Sequence, residues 1–183
     1  MTVAASRIEV SAAAREPLLL LAAFAGCVSL TARGVSWRAI GVTVAVGVAA
    51  WFAPAAPRTR APVRTCALAA ALGIGAFVLV RTQMDVLPYV GTMLAGAASL
   101  VAAVAEEIFF RRLVYDALSR WGAPVAIVGA AVAFAAIHIP TYGFVVLPID
   151  IAAGLLFGWQ RRVTGTVTVP ALTHVVANLL STL

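Results

Sequence analysis

The chain has 183 residues, 63% of them hydrophobic and only 11% charged, whereas a soluble globular domain is about 45–50% apolar and about 25% charged. So little polar surface cannot coat a water-soluble globule, and disorder is excluded because it needs low hydrophobicity and high charge. All 13 basic residues are Arg, against seven acids, for a net charge of +6. They sit in short groups between apolar runs, a pattern of membrane topology signals and not of a nucleic-acid interface.

The composition predicts an all-α, polytopic transmembrane helical bundle forming a single domain over 1–183. Hydropathy divides it into about seven spans, roughly 17–32, 39–53, 66–80, 87–119, 123–139, 143–159 and 166–183. Several are shorter than the ~20 residues of a full crossing. Pro54, Pro57 and Pro62 make the second connection a loop. Trp37, Trp51, Trp121 and Trp159 fall at span ends, the aromatic-belt position. Cys27 and Cys66 lie in or beside apolar runs and do not make a disulfide framework.

Alternating the loops places Arg7, Arg15, Arg58, Arg60, Arg64, Arg120, Arg161 and Arg162 on one side, and Arg33, Arg38 and Arg81 on the other. The positive-inside rule then puts the N-terminus in the cytoplasm and the C-terminus outside. Abundant Ala, Val, Gly and Arg without Lys fits a GC-rich bacterial genome, hence a multi-pass protein of a bacterial inner membrane. No internal repeat supports a transporter architecture.

Ionisable residues are costly inside a bilayer and mark function. Residues 1–86 carry none in their span interiors and read as scaffold. Residues 87–183 carry Glu106, Glu107, Arg111, Arg112, Asp116, His138, Asp150 and His174, with Asn178 alongside, and read as the site. Glu107 and Arg111 are four apart with the acid N-terminal, the better orientation for a helical pair. Glu106 is turned about 100° away and has no such partner, which leaves it free for general acid or base work. The alternative is that both acids pair with Arg111 and Arg112 to hold the bundle together.

His138 follows Phe134 by four residues. A lone histidine among apolar residues is commonly a satisfied core group, but here spacing adds information. Glu106 lies 15 residues before Trp121 and His138 15 after Ala123, so each stands about 22 Å from the tight turn between them. Antiparallel neighbours would hold the two at one depth. His174 and Asn178, four apart, project from one face of the last span. They suit an oxyanion hole or a polar clasp between helices. Asp150 reads as a buried acid that orients a histidine or pairs with an arginine.

Glu106-Glu107-x-x-x-Arg111, Phe134-x-x-x-His138 and His174-x-x-x-Asn178 together resemble the three signature motifs of the CPBP family, the CAAX-protease and bacteriocin-processing proteins also described as Abi. The resemblance covers roughly 87–183. It implies an intramembrane glutamic endopeptidase that uses no cofactor and acts on a membrane protein or lipidated peptide, with the lipid bilayer as its other partner. Glu106 would activate water and His138 help to position it. His174 and Asn178 would bind the oxyanion, and Glu107 with Arg111 would fix the helix and the site's charge. Hydrolysis would need a polar cavity between spans four, five and seven. Short bacterial relatives are associated with C-terminal processing and protein sorting, and an outward-facing site would suit that role.

Two alternatives accompany this reading. Glu and two His could bind zinc as three ligands, although no HExxH pair is present. A non-catalytic bacteriocin-immunity or membrane scaffold protein would need none of the chemistry. A rhomboid-type serine peptidase fits poorly.

Overall fold

The computed structural model describes residues 37–53, 58–83 and 93–182; the expected span at 17–32, with Cys27, lies outside them. The described residues form helices and no strand. They are α1 (Trp37–Phe52), α2 (Val63–Gln83), a long α3 (Met93–Trp121), α4 (Ala123–Tyr142), α5 (Leu147–Thr164, entered through a single 3-10 turn at Phe144–Val146) and α6 (Thr168–Thr182). Four stretches, Val63–Gln83, Met93–Trp121, Ala123–Tyr142 and Phe144–Thr164, are long and apolar enough to cross a membrane; the apolar parts of α1 and α6 are shorter.

One expected boundary moves. The span expected at 143–159 continues to Thr164, so Trp159 sits more than a turn inside its helix. The helix runs through the arginines because Arg161, only 4% exposed, finds partners. Its Nη2 meets both carboxylate oxygens of Asp116 at 3.1 and 3.2 Å, its Nε donates to the Arg111 carbonyl at 2.7 Å, and its Nη1 donates to the Gly165 carbonyl at 2.5 Å. Arg58 adds a second contact to Asp116 at 3.0 Å. Gly165 then ends α5 in the left-handed conformation, φ 68°, where a side chain would collide with the Thr59 carbonyl.

α3 is not uniform. Ile108–Val114 is π-helical, a form that concentrates at functional sites. Its i→i+5 bonding brings residues five apart to one face, so the Arg111 carbonyl and the Asp116 carboxylate both meet Arg161. Arg112 turns the other way. It donates to the Ala50, Trp51 and Ala53 carbonyls at the end of α1, groups that a helix terminus leaves unpaired. Arg112 therefore serves α1 and, among the described residues, pairs with neither Glu106 nor Glu107.

α4 and α5 pack closely. A Cβ placed on Gly154 would lie 2.8 Å from the Ala131 Cα, and one on Gly158 3.1 Å from the Ile127 side chain. Two glycines four apart open one helical face to a neighbouring backbone, the small-residue packing of membrane helices. Asp150 precedes Gly154 by four and shares that face. Gln160 clasps α2 and α6 to this unit, donating to the Ala69 carbonyl of α2 at 2.8 Å and to Thr173 Oγ1 of α6 at 2.9 Å.

Candidate active site

The two adjacent acids of α3 have different surroundings. The Glu107 side chain is fully buried, with Oε2 3.1 Å from Arg111 Nε, and Arg111 is fully buried too. The guanidinium sits among three rings, 5.2 Å from the Phe134 centroid, 5.5 Å from Phe157 and 5.9 Å from Phe110. Three ring faces attract a desolvated cation, which holds Arg111 in place for Glu107. Glu106 keeps 13% of its side chain exposed, so of the two acids it is the less enclosed.

His174 on α6 joins them. Its Nδ1 is 3.1 Å from Glu107 Oε1, and its Nε2 is 3.9 Å from Glu106 Oε2. The ring stacks on Phe157, centroids 4.9 Å apart at 24°, and takes the Phe134 ring edge-on at 5.6 Å. A carboxylate paired with arginine accepts from Nδ1–H, so Glu107 fixes the orientation of the ring and turns the other nitrogen towards Glu106. The 3.9 Å gap is too long for a direct hydrogen bond, but an oxygen lying to one side could touch both groups at about 2.8 Å.

His138 on α4 stands edge-on to the same Phe134 ring, centroids 4.9 Å apart. Its Nδ1 lies 3.1 Å from the Phe134 carbonyl and 3.1 Å from Asp150 Oδ2. Glu106 lies within electrostatic range of His138, His174 and Asp150. The antiparallel α3–α4 pair thus brings Glu106 and His138 together, as equal distance from the turn requires. Among the described residues Asp150 contacts a histidine and no arginine. Asn178 is placed differently: its Nδ2 donates to the Ser99 carbonyl of α3 at 3.1 Å. That is an interhelical clasp, which uses one of the two amide hydrogens.

Sequence reasoning missed the aromatic box, because Phe110, Phe134 and Phe157 look like ordinary apolar residues in an apolar chain. It also missed the pairing of Arg58 and Arg161 with Asp116. The five-residue spacing from Arg111 to Asp116 was a signal only for a π-turn, which hydropathy does not reveal.

Beside the site an apolar groove of about 550 Å³ opens between α1, α3 and α6, with Val44, Trp51, Leu100, Val104, Ile108 and Val175 among its walls. It is not the polar cavity expected between spans four, five and seven. Ala105 and Ile108 line it, whereas Glu106 and Glu107 do not. Among the described residues, no three His, Cys, Asp or Glu side chains converge as a metal site requires.

Residues 88–180, just over half of the chain, match the family model described as type II CAAX prenyl endopeptidase Rce1-like. The match covers every motif residue of the site. No curated protein and no solved structure matches the chain. The chain therefore belongs to the type II CAAX prenyl endopeptidase Rce1-like family of membrane proteases, and its apolar helices make it a multi-pass membrane protein.

Proposed function

We propose that the chain is an intramembrane glutamic endopeptidase that hydrolyses a peptide bond of a membrane-associated substrate. The observation that carries this reading is one imidazole, His174, set between two adjacent carboxylates of unequal burial. Glu107 is consumed by Arg111 and His174 Nδ1, so Glu106 is the base left to take a proton from water. The water attacks the scissile carbonyl, and the proton held on Glu106 passes to the leaving amine. His138 helps to position the water. The second amide hydrogen of Asn178 donates to the oxyanion of the tetrahedral intermediate, together with His174, which does so when its Nε2 carries a hydrogen besides the one that Nδ1 gives to Glu107. Arg111 keeps Glu107 in place. Arg111 Nη2 has no hydrogen-bond partner among the described residues, and the 3.1 Å ion-pair contacts of Glu107 Oε2 and Asp150 Oδ2 lie off hydrogen-bond geometry; buried polar atoms with capacity to spare favour entry of water.

The remaining assignments belong to the same reading. The bundle counts about seven spans, with 1–86 as scaffold and 87–183 carrying the site, in a bacterial inner membrane. Arg58, Arg60, Arg64, Arg120, Arg161 and Arg162 gather at one end of the described helices, which the positive-inside rule assigns to the cytoplasm along with the N-terminus. His138 and Asp150 lie near the α4–α5 connection at the opposite end, so the site opens nearer the outer face. That placement suits C-terminal processing or sorting of membrane-anchored proteins. Reporter fusions should place 141–143 outside, and a cytoplasmic result would reverse the topology.

The mechanism is tested by cleavage of a peptide library in detergent, wild type against Glu106→Gln, with and without a chelator. Cleavage lost in Glu106→Gln and indifferent to chelation is expected. Equal cleavage by both proteins would remove Glu106 from the mechanism, and loss on chelation would transfer the chemistry to a metal.

A further inference from the structure

We propose that Asp150 is a positioning residue of this site: it holds the His138 ring so that Nδ1 carries the hydrogen and Nε2 is left as the acceptor. The proposal rests on the reading of Glu106 and His138 given above and adds a residue that lies outside the three motifs.

Two acceptors face one nitrogen. The Phe134 carbonyl takes the N–H direction of His138 Nδ1 at 3.1 Å, and Asp150 Oδ2 reaches the same atom at 3.1 Å, to one side of that direction. Neither can donate, so the hydrogen belongs on Nδ1 and the lone pair on Nε2. The two acceptors differ in what they restrain. Phe134 is four residues back on α4 itself and moves with the ring's own helix. Asp150 is on α5, and ties the ring to the neighbouring element.

The packing explains why the carboxylate stands there. Asp150, Gly154 and Gly158 recur every four residues on one face of α5, against His138, Ala131 and Ile127 of α4. Where the other two positions are glycine for close approach, the third carries an acid opposite the histidine. Both side chains are 17% exposed, so the contact is sheltered from competing water. A carboxylate that fixes the tautomer and plane of a functional imidazole recurs in hydrolytic sites of unrelated fold. Here it presents Nε2 as a fixed acceptor for a water hydrogen, within electrostatic range of Glu106.

The chain has two histidines, so protein labelled with nitrogen-15 at histidine gives only two pairs of imidazole nitrogen signals. Full-length protein in detergent micelles is recorded on the alkaline side, where both rings are neutral, and His138→Asn supplies the assignment. Wild type is expected to show His138 as the Nδ1–H tautomer. Asp150→Leu should shift it towards the Nε2–H form that imidazole favours in water, while the His174 signal, set by Glu107, stays in place. Asp150→Asn keeps an acceptor and should keep the wild-type tautomer; Asp150→Ala, smaller than Leu, carries the same expectation as Asp150→Leu. In cleavage, Asp150→Leu should lower kcat by about 10- to 100-fold with KM unchanged, the scale of losing a partner that orients a histidine, and Asp150→Asn should recover most of it. The assignment is overturned if His138 keeps its wild-type spectrum in Asp150→Leu and Asp150→Ala, or if His174 moves as far as His138. The tautomer measurement stands apart from any substrate, so a failed glutamic mechanism would leave it intact.

Discussion

Gly154→Ala isolates the packing on which the α4–α5 half of the site depends. The added methyl would lie 2.8 Å from the Ala131 Cα and 2.9 Å from its Cβ, whereas nonbonded carbons rest about 3.5–4.0 Å apart. Both obstructing atoms belong to or adjoin backbone, so no side chain can swing aside and the helices must part by about 0.7 Å or more. Overpacking of this kind costs about 1–3 kcal/mol. Against it stands the gain of about 0.5–1 kcal/mol that alanine brings to any unstrained helical glycine. Gly75→Ala is the control, since nothing lies within 4 Å of its added methyl, and it collects that gain alone. The two variants should therefore differ by about 1–3 kcal/mol in reversible denaturant unfolding in micelles, with Gly154→Ala the less stable. The same separation would stretch the 3.1 Å Asp150–His138 contact to about 3.8 Å, past hydrogen-bonding range, so cleavage should fall with it. If Gly154→Ala stabilises as much as Gly75→Ala, the close approach of α4 and α5 is wrong.

Other perturbations probe the buried charges. Arg111→Met leaves fully buried Glu107 without its cation and should cost about 3–5 kcal/mol; adding Glu107→Gln should restore at least half of it, and a double-mutant cycle with no coupling would refute the pair. Arg161→Lys keeps a charge near Asp116 but loses the guanidinium fork that reaches the Arg111 and Gly165 carbonyls together, for an expected loss of about 1–3 kcal/mol in the same unfolding measurement. Arg112→Ala should speed amide exchange in the last turn of α1 and leave α4 and α5 unchanged; uniform exchange rates would mean that Arg112 does not cap α1.

What could be read from the sequence was what depends on regular periodicity. Apolar runs located the six described helices to within several residues, and equal spacing from the Trp121–Ala123 turn brought Glu106 and His138 together although α3 leaves the regular α-helix at Ile108–Val114. The four-residue spacing gave the Glu107–Arg111 pair, which stands where that π-helical stretch begins. Reading failed where a charge is satisfied by tertiary contact. Arg161 looked like the end of a span, yet with Asp116 and two carbonyls around it the helix carries on for another turn. Asn178 matched a donor pair by spacing, but which group its amide meets depends on Ser99, 79 residues away. The partner of Asp150 depended on how closely α4 and α5 approach, which Gly154 and Gly158 govern and a hydropathy profile does not weigh.

Arg111 links these contacts through two different parts of one residue. Its side chain, boxed by Phe110, Phe134 and Phe157, sets Glu107, and Glu107 sets His174. Its carbonyl, in the π-helical turn, accepts from Arg161, which also grips Asp116 and the end of α5. A regular α-helix spreads residues five apart to different faces, and Arg161 could not then hold 111 and 116 together. The π-turn thus fastens the helix bearing both glutamates to α5, the helix that also carries Asp150. Phe134 does the same from α4, touching both histidines and the guanidinium. Each of α3, α4, α5 and α6 is thereby fixed by a contact that also orients a site residue, so movement of any one helix would disturb the geometry around Glu106 before it unfolds the bundle.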